Sequence, residues 1–298
     1  MQTRLSVRAS ALLVVWAFVA SSASAHPGSG IVVDKEGQVF FTDTGRGVWK
    51  IDAKGKLTDL PGSRFHWLAL DEPGRFADSE RSFGEWFERV TPKGAKPCII
   101  QCSDFPVTIG SDGNLYYTDT REGRGRIVRR TPEGKETVLA RERSLESIDG
   151  ITPGPDDSLY VTQNTGGKEI AVRKITMAGA VSTIASGFVG TDPIKDPPAD
   201  TPAAYCRGLA VDAAGVVYVA ATGSRRVLKI TPQGKVNTIL ESPGPWQPTG
   251  IALFDGDVYV LEWREPPAAQ LEDRPAWLPR VRKIARDGTI STVATVSR

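Results

Sequence analysis

The sequence predicts an all-β chain folded as a six-bladed β-propeller, with four antiparallel strands per blade. Three observations carry that expectation. A unit recurs six times at a spacing of about 40 residues, each unit holds a nearly continuous apolar run, and turn residues stand at fixed places between the runs. No long helical periodicity interrupts the series.

The first residues read as a leader rather than as part of the fold. Arg4 and Arg8 give a positive start, Ala11 to Ala20 form a short uncharged apolar run, and Ala23-Ser24-Ala25 supplies the small-x-small pattern of a signal-peptidase site. The run is shorter than the roughly 20 residues that a membrane-spanning helix needs. Residues 1–25 are therefore expected to be a cleaved signal peptide. Residues 26–298 then form a single propeller domain in the periplasm or medium, with no membrane attachment after cleavage.

Charge narrows the partners. The whole chain has 37 Lys and Arg against 35 Asp and Glu. Loss of Arg4 and Arg8 brings the two counts level, so the domain lacks the basic excess that phosphate neutralisation demands of a nucleic-acid binder. A small molecule or a protein is the expected partner, for a chain expected to be a monomer. Cys98 and Cys102 fall on one extended segment, roughly 13 Å apart, beyond disulfide reach. Cys102–Cys206 is the pairing left open. The two histidines, His26 and His66, are too few for a three-His zinc site.

The repeat is clearest at Gly208-Leu-Ala-Val-Asp212, Val216-Val-Tyr-Val-Ala-Ala-Thr222, Arg226-Val-Leu-Lys-Ile230 and Lys235–Leu240. The same order begins at Gly30, and again near residues 67, 108, 150 and 250. Runs such as Leu115-Tyr-Tyr-Thr118 have the composition of a strand buried on both faces, as between neighbouring blades. Thr-Pro-x-Gly recurs at Thr91–Gly94, Thr131–Gly134 and Thr231–Gly234. There Pro presets φ and Gly accepts the left-handed region. The one wide gap holds a Pro- and Asp-rich insertion, Gly187–Tyr205.

This pattern resembles the NHL repeat, and more widely the propeller superfamily of gluconolactonase and the senescence-marker proteins. The resemblance extends over Pro27–Arg298. In gluconolactonases it implies a divalent metal such as calcium, held in the channel by a Glu, an Asn and an Asp that precede inner strands. Asp149-Gly150-Ile151 matches the Asp segment, which carries Asp149 over as a metal ligand. The Asn position reads Val107, and the first inner strand opens Ser29-Gly30 with no Glu.

Aligning the six units places Ser29, His66, Val107, Asp149, Arg207 and Thr249 just before the inner strands, around one mouth of the channel. His66 and Asp149 are the acid–base candidates, and Arg207 the anion clamp. Ser29, Thr249 and Trp263 are expected to complete a ligand surface. Loop arginines Arg46, Arg81, Arg121, Arg124, Arg225 and Arg264 make the same face receptive to anions. Arg126, Arg226 and Arg280, just before third strands, are expected to be structural. Two functions fit: a binding or interaction module for a small anionic or carbohydrate-like ligand or a protein, or a lactonase-like hydrolase or lyase at the same mouth.

Overall fold

The computed structural model describes residues 27–297, apart from 61, 80–85, 104, 120–124, 165–169, 188–205 and 271–275. The leader, Arg81, Arg121, Arg124 and most of the Pro-rich insertion thus lie outside the described residues. What is described is all-β, with three single-turn 3-10 segments and no α-helix. No helix among these residues is long and apolar enough to cross a membrane.

Six sheets follow one another along the chain. The first holds β1 (Ile31–Val33), β2 (Val39–Asp43), β3 (Gly47–Ile51) and β4 (Leu57–Leu60), and the second β5 (Trp67–Asp71), β6 (Phe87–Arg89) and β7 (Cys98–Cys102). The third holds β8 (Val107–Ile109), β9 (Leu115–Asp119), β10 (Arg126–Arg130) and β11 (Glu136–Arg141). The fourth holds β12 (Ile148–Pro153), β13 (Leu159–Asn164), β14 (Ile170–Ile175) and β15 (Val181–Ser186). Blade five runs β16 (Leu209–Val211), β17 (Val217–Ala221), β18 (Arg226–Ile230) and β19 (Val236–Glu241). Blade six runs β20 (Trp246–Phe254), β21 (Asp257–Arg264), β22 (Leu278–Ile284) and β23 (Ile290–Thr295). Five sheets pair in sequence order, antiparallel throughout.

Burial follows the apolar pattern. β2, β9 and β17 are buried along their whole length, whereas outer strands such as β4 and β15 alternate towards solvent. Each fully buried Val of β17 contributes roughly 1.5–3 kcal/mol of transfer free energy. Two of the three Thr-Pro-x-Gly turns close as expected, Gly134 donating its N–H to Thr131 O at 2.9 Å and Gly234 to Thr231 O at 2.8 Å, whereas Gly94 donates to Ala77 O at 2.7 Å. Gly134 and Gly234 sit at positive φ, 89° and 81°. The arginines expected to be structural are paired, Arg126 with Asp119 at 2.7 Å, Arg226 with Glu241 at 3.3 Å and Arg280 with Glu262 at 2.5 Å.

The second blade departs from this order. Its described residues form three strands, arranged β5–β7–β6 from the axis outward. The cause is composition. β7 reads Cys-Ile-Ile-Gln-Cys and is buried along its whole length, so it takes the sandwiched second place that apolar strands fill in the other blades. Cys102 then lies opposite Trp67, from where the chain reaches β8 through residues 103–106. All three cysteines are buried, and none is in a disulfide. Cys102 packs between blades two and three and Cys206 between blades four and five, so the Cys102–Cys206 pairing left open above does not form.

Among the described residues no blade is built from both ends of the chain, and the first and last blades pack directly against each other. A Cβ on Gly250 would lie 2.4 Å from Ser29 O. The same relation holds at three further blade junctions: a Cβ on Gly150 would lie 2.3 Å from Arg207 O, on Gly208 2.6 Å from Gly250 Cα, and on Gly30 2.5 Å from Leu68 N. Each atom met is backbone, which cannot move aside without moving a blade. Gly208→Val is therefore expected to abolish cooperative folding, whereas Gly55→Asn should melt within about 1 °C of the parent. A Cβ at Gly55 meets nothing within 4 Å, and Asn tolerates its φ of 81°. Thermal melts followed by circular dichroism check both; a native-like melt for Gly208→Val would refute the ring constraint.

Candidate functional site at the channel mouth

The six inner strands enclose a channel of about 290 Å³. At one end a cavity of about 240 Å³ is lined by His66, Trp67, Ser103, Pro106, Ile148, Asp149 and Arg207. Trp67 borders both spaces. Three of the six aligned lead-in residues, from blades two, four and five, thus meet at one opening.

Local backbone aims Asp149. Ile148 pairs with Gln163 and Gly150 with Thr162, leaving Asp149 as the extra residue of a β-bulge. Bulges re-aim a side chain that regular pleating would turn elsewhere. Ser147, two residues earlier, adopts φ 58°, left-handed for a non-glycine residue. Asn164 stabilises the bend twice: its backbone N–H donates to Ser147 O at 3.1 Å, and its Nδ2 donates to Asp149 Oδ2.

Burial pushes the Asp149 carboxyl up to about 6, although the Arg207 charge and the Asn164 hydrogen bond both pull it down. Arg207 is half-buried and donates Nη1 to Pro27 O at 2.8 Å. His66 is more enclosed than a channel rim suggests, only 9% exposed. Its Nδ1 lies 2.7 Å from Ser103 O. A carbonyl can only accept, so Nδ1 carries a proton, which leaves Nε2 as the nitrogen available for proton exchange. The His66 carbonyl also accepts from Ser29 N and Gly30 N, each at 2.8 Å, which ties blade two to blade one. Burial and the Asp149 charge hold the Cys206 thiol well above its ordinary value, so it stays protonated.

The other expected ligand groups have structural work instead. Thr249, also a bulge residue, and Trp263 are fully buried, and both donate to Gly28 O, at 2.7 and 2.8 Å. They anchor the first described residues to the last blade. Ser29 is 4% exposed and borders the channel below the mouth. Of the loop arginines, Arg46 lies over Trp49 and near Asp59, Arg225 lies 3.8 Å from Glu265, and Arg264 is exposed. Asn164 escaped notice in the sequence because it ends the second strand, where the repeat carries no marker.

The residues present do not fit the metal that the resemblance implies. Val107 is apolar, Ser29 stands in place of the Glu, and a guanidinium supplies the positive charge beside Asp149. Among the described residues no group of three His, Cys, Asp or Glu side chains is placed to hold an ion. What the structure shows at this position is a desolvated Asp149 carboxyl beside Arg207.

Residues 107–260 match the family described as the SMP-30/Gluconolactonase/LRE-like region. The chain belongs to that family. The matched segment contains Asp149, Asn164 and Arg207 but not His66. Virginiamycin B lyase of Nocardia farcinica is 30% identical over 173 residues, 55% of this chain, and the match spans 57% of that protein's length. Two solved structures share the fold. Virginiamycin B lyase from Staphylococcus aureus superposes with TM-score 0.51 at 19% identity, over 91% of this chain and 85% of that one. A gluconolactonase from Xanthomonas campestris gives 0.54 at 14% identity, over 80% and 84%. The chain is thus a propeller related to gluconolactonase and virginiamycin B lyase.

The raised Asp149 value has a thermodynamic consequence. The folded state resists ionising a carboxyl that the unfolded chain ionises near 3.9. The resulting loss of stability is absent below pH 4, grows as pH rises through about 6, and is complete above it. Asp149→Asn should nearly match the parent at pH 4 and exceed its stability at pH 8 by about 3 kcal/mol. Denaturant unfolding at the two pH values measures the difference. Equal stability at both would mean that Asp149 ionises as it does in water.

Proposed function

We propose that the channel mouth is an acid–base site, and that the chain is a hydrolase or lyase acting on a small anionic substrate. One observation carries this reading: Asp149, with a carboxyl pushed up to about 6, shares a single cavity with His66 and Arg207. Two groups that exchange protons near neutral pH, beside a fixed cation, form the combination that proton-transfer catalysis uses.

The roles follow from the chemistry. Arg207 holds the anionic group of the substrate, and its charge also favours the ionised form of Asp149. Asp149, ionised at neutral pH, withdraws a proton, either from water in hydrolysis or from carbon in elimination. His66, protonated through Nε2, returns a proton to the leaving oxygen. The cavity of about 240 Å³ restricts the reacting portion to a small group, with any larger remainder outside the mouth. The relationship to a gluconolactonase and to a lyase supports bond cleavage of this kind. We place the reaction in the periplasm or medium, on the strength of the leader expected at residues 1–25.

A panel of small lactones and carboxylate-bearing esters tests the proposal, with acid release followed in a pH-stat and new double bonds followed by ultraviolet absorbance. For a substrate that is turned over, kcat/KM should rise with pH through about 6 as Asp149 ionises to become the base, and fall again at higher pH as His66 loses the proton it must donate. Asp149→Asn should lower kcat by about 10²- to 10⁴-fold with binding retained, and Arg207→Gln should act mainly on KM. Saturable binding of panel members without turnover would contradict the proposal and make the mouth a binding site.

A further inference from the structure

A second groove lies away from the mouth, between blades one and two, beside the turn joining β1 and β2. It encloses about 470 Å³. Phe40, Leu60, Val90, Pro92 and Pro97 give it apolar walls. Lys50, Lys93 and Lys96 stand around it.

Its charge is one-sided. Asp34 is the only carboxylate among the described lining residues, and it is fully buried and already engaged. Its Oδ1 accepts from Glu36 N at 3.1 Å and Gln38 N at 2.8 Å, and its Oδ2 from Gln38 Nε2 at 2.8 Å. Arg89 is likewise committed, donating to the carbonyls of Thr91, Ala77 and Ser79. Lys50 Nζ lies 5.6 Å from the Phe40 ring centroid, at the edge of the apolar surface. Lys50 and Lys96 therefore border an apolar groove whose one carboxylate among the described lining residues is already hydrogen-bonded.

The opening coincides with the departure of blade two from the common strand order. In the other five blades a fourth strand runs at the rim. In blade two β7 lies inside β6, and the segment Val90–Pro97 that connects them lines the groove opposite β2, β3 and β4.

We propose that this groove is a second binding site, for an organic anion with an apolar body, such as a medium-chain carboxylate. The apolar part would displace water from Phe40, Leu60 and Val90, and the carboxylate would meet the lysine ammonium groups. Apolar pockets of this size with a few converging polar groups are the common form of small-molecule sites. The site is independent of the proposed reaction at the mouth.

Sodium decanoate, kept below its micellar concentration, is titrated into the ¹⁵N-labelled full chain while backbone amide resonances are followed. Saturable shifts are expected at Val90, Thr91, Lys93 and Lys96, and none at Ser103, Asp149 or Arg207. Lys50→Glu combined with Lys96→Glu should weaken binding at least tenfold, with Lys50→Gln/Lys96→Gln intermediate and both melting like the parent. Asp149→Asn should bind like the parent. Equal affinity in the charge-reversed protein, shifts centred on the mouth, or no saturable shift would overturn the proposal. The same shifts with inorganic phosphate would also overturn it, by showing a simple anion patch.

Discussion

Close approach of backbone to backbone around the propeller axis governs this structure. At Gly30, Gly150, Gly208 and Gly250 the Cα of one blade leans on the chain leading into the next, leaving no room for a side chain. Packing of this density transmits position, because a blade cannot shift without displacing its neighbour. The contact between Gly250 and Ser29 completes the circle. Thr249 and Trp263 secure it from blade six through Gly28 O, and Arg207 secures it from blade five through Pro27 O. The guanidinium assigned to the anion also helps to hold the ring shut, so mouth geometry and ring closure depend on each other.

That rigidity lets three ionisable side chains far apart in sequence share a space of about 240 Å³. Asp149 is turned there by its bulge, steadied by Asn164, and desolvated by its surroundings. The charge of Arg207 offsets only part of the desolvation, since the carboxyl remains above its ordinary value. A divalent ion would have reversed that balance by favouring the carboxylate strongly. In its place the chain has the fixed organic cation of Arg207, proposed above to hold an anionic substrate group. The proposed chemistry is accordingly proton transfer by side chains.

The blades were legible in the sequence because each part of the repeat has a local cause. Glycine marks the close approach, an apolar run marks the sandwiched strand, and Thr-Pro-x-Gly marks the outer turn. The convergence of His66, Asp149 and Arg207 followed from aligning those marks. The strand order of blade two was hidden because Thr91–Gly94 carries the usual turn signal. The clue was available in Cys98–Cys102, an apolar run that follows the turn instead of preceding it. Asn164 had no such clue, since its role depends on a bulge fifteen residues earlier in the chain. Trp263 and Thr249 resembled ligand groups because an aromatic or hydroxyl near a channel carries the same letters whether it faces solvent or the backbone of Gly28.

The central claim is that the lead-in residues of blades two, four and five act as one electrostatic unit. With only two histidines in the chain, the His66 ring can be followed directly by proton NMR. Its titration midpoint should fall when Asp149→Asn removes the neighbouring negative charge, and rise when Arg207→Gln removes the positive one. A His66 midpoint that stays constant in both variants would contradict the account.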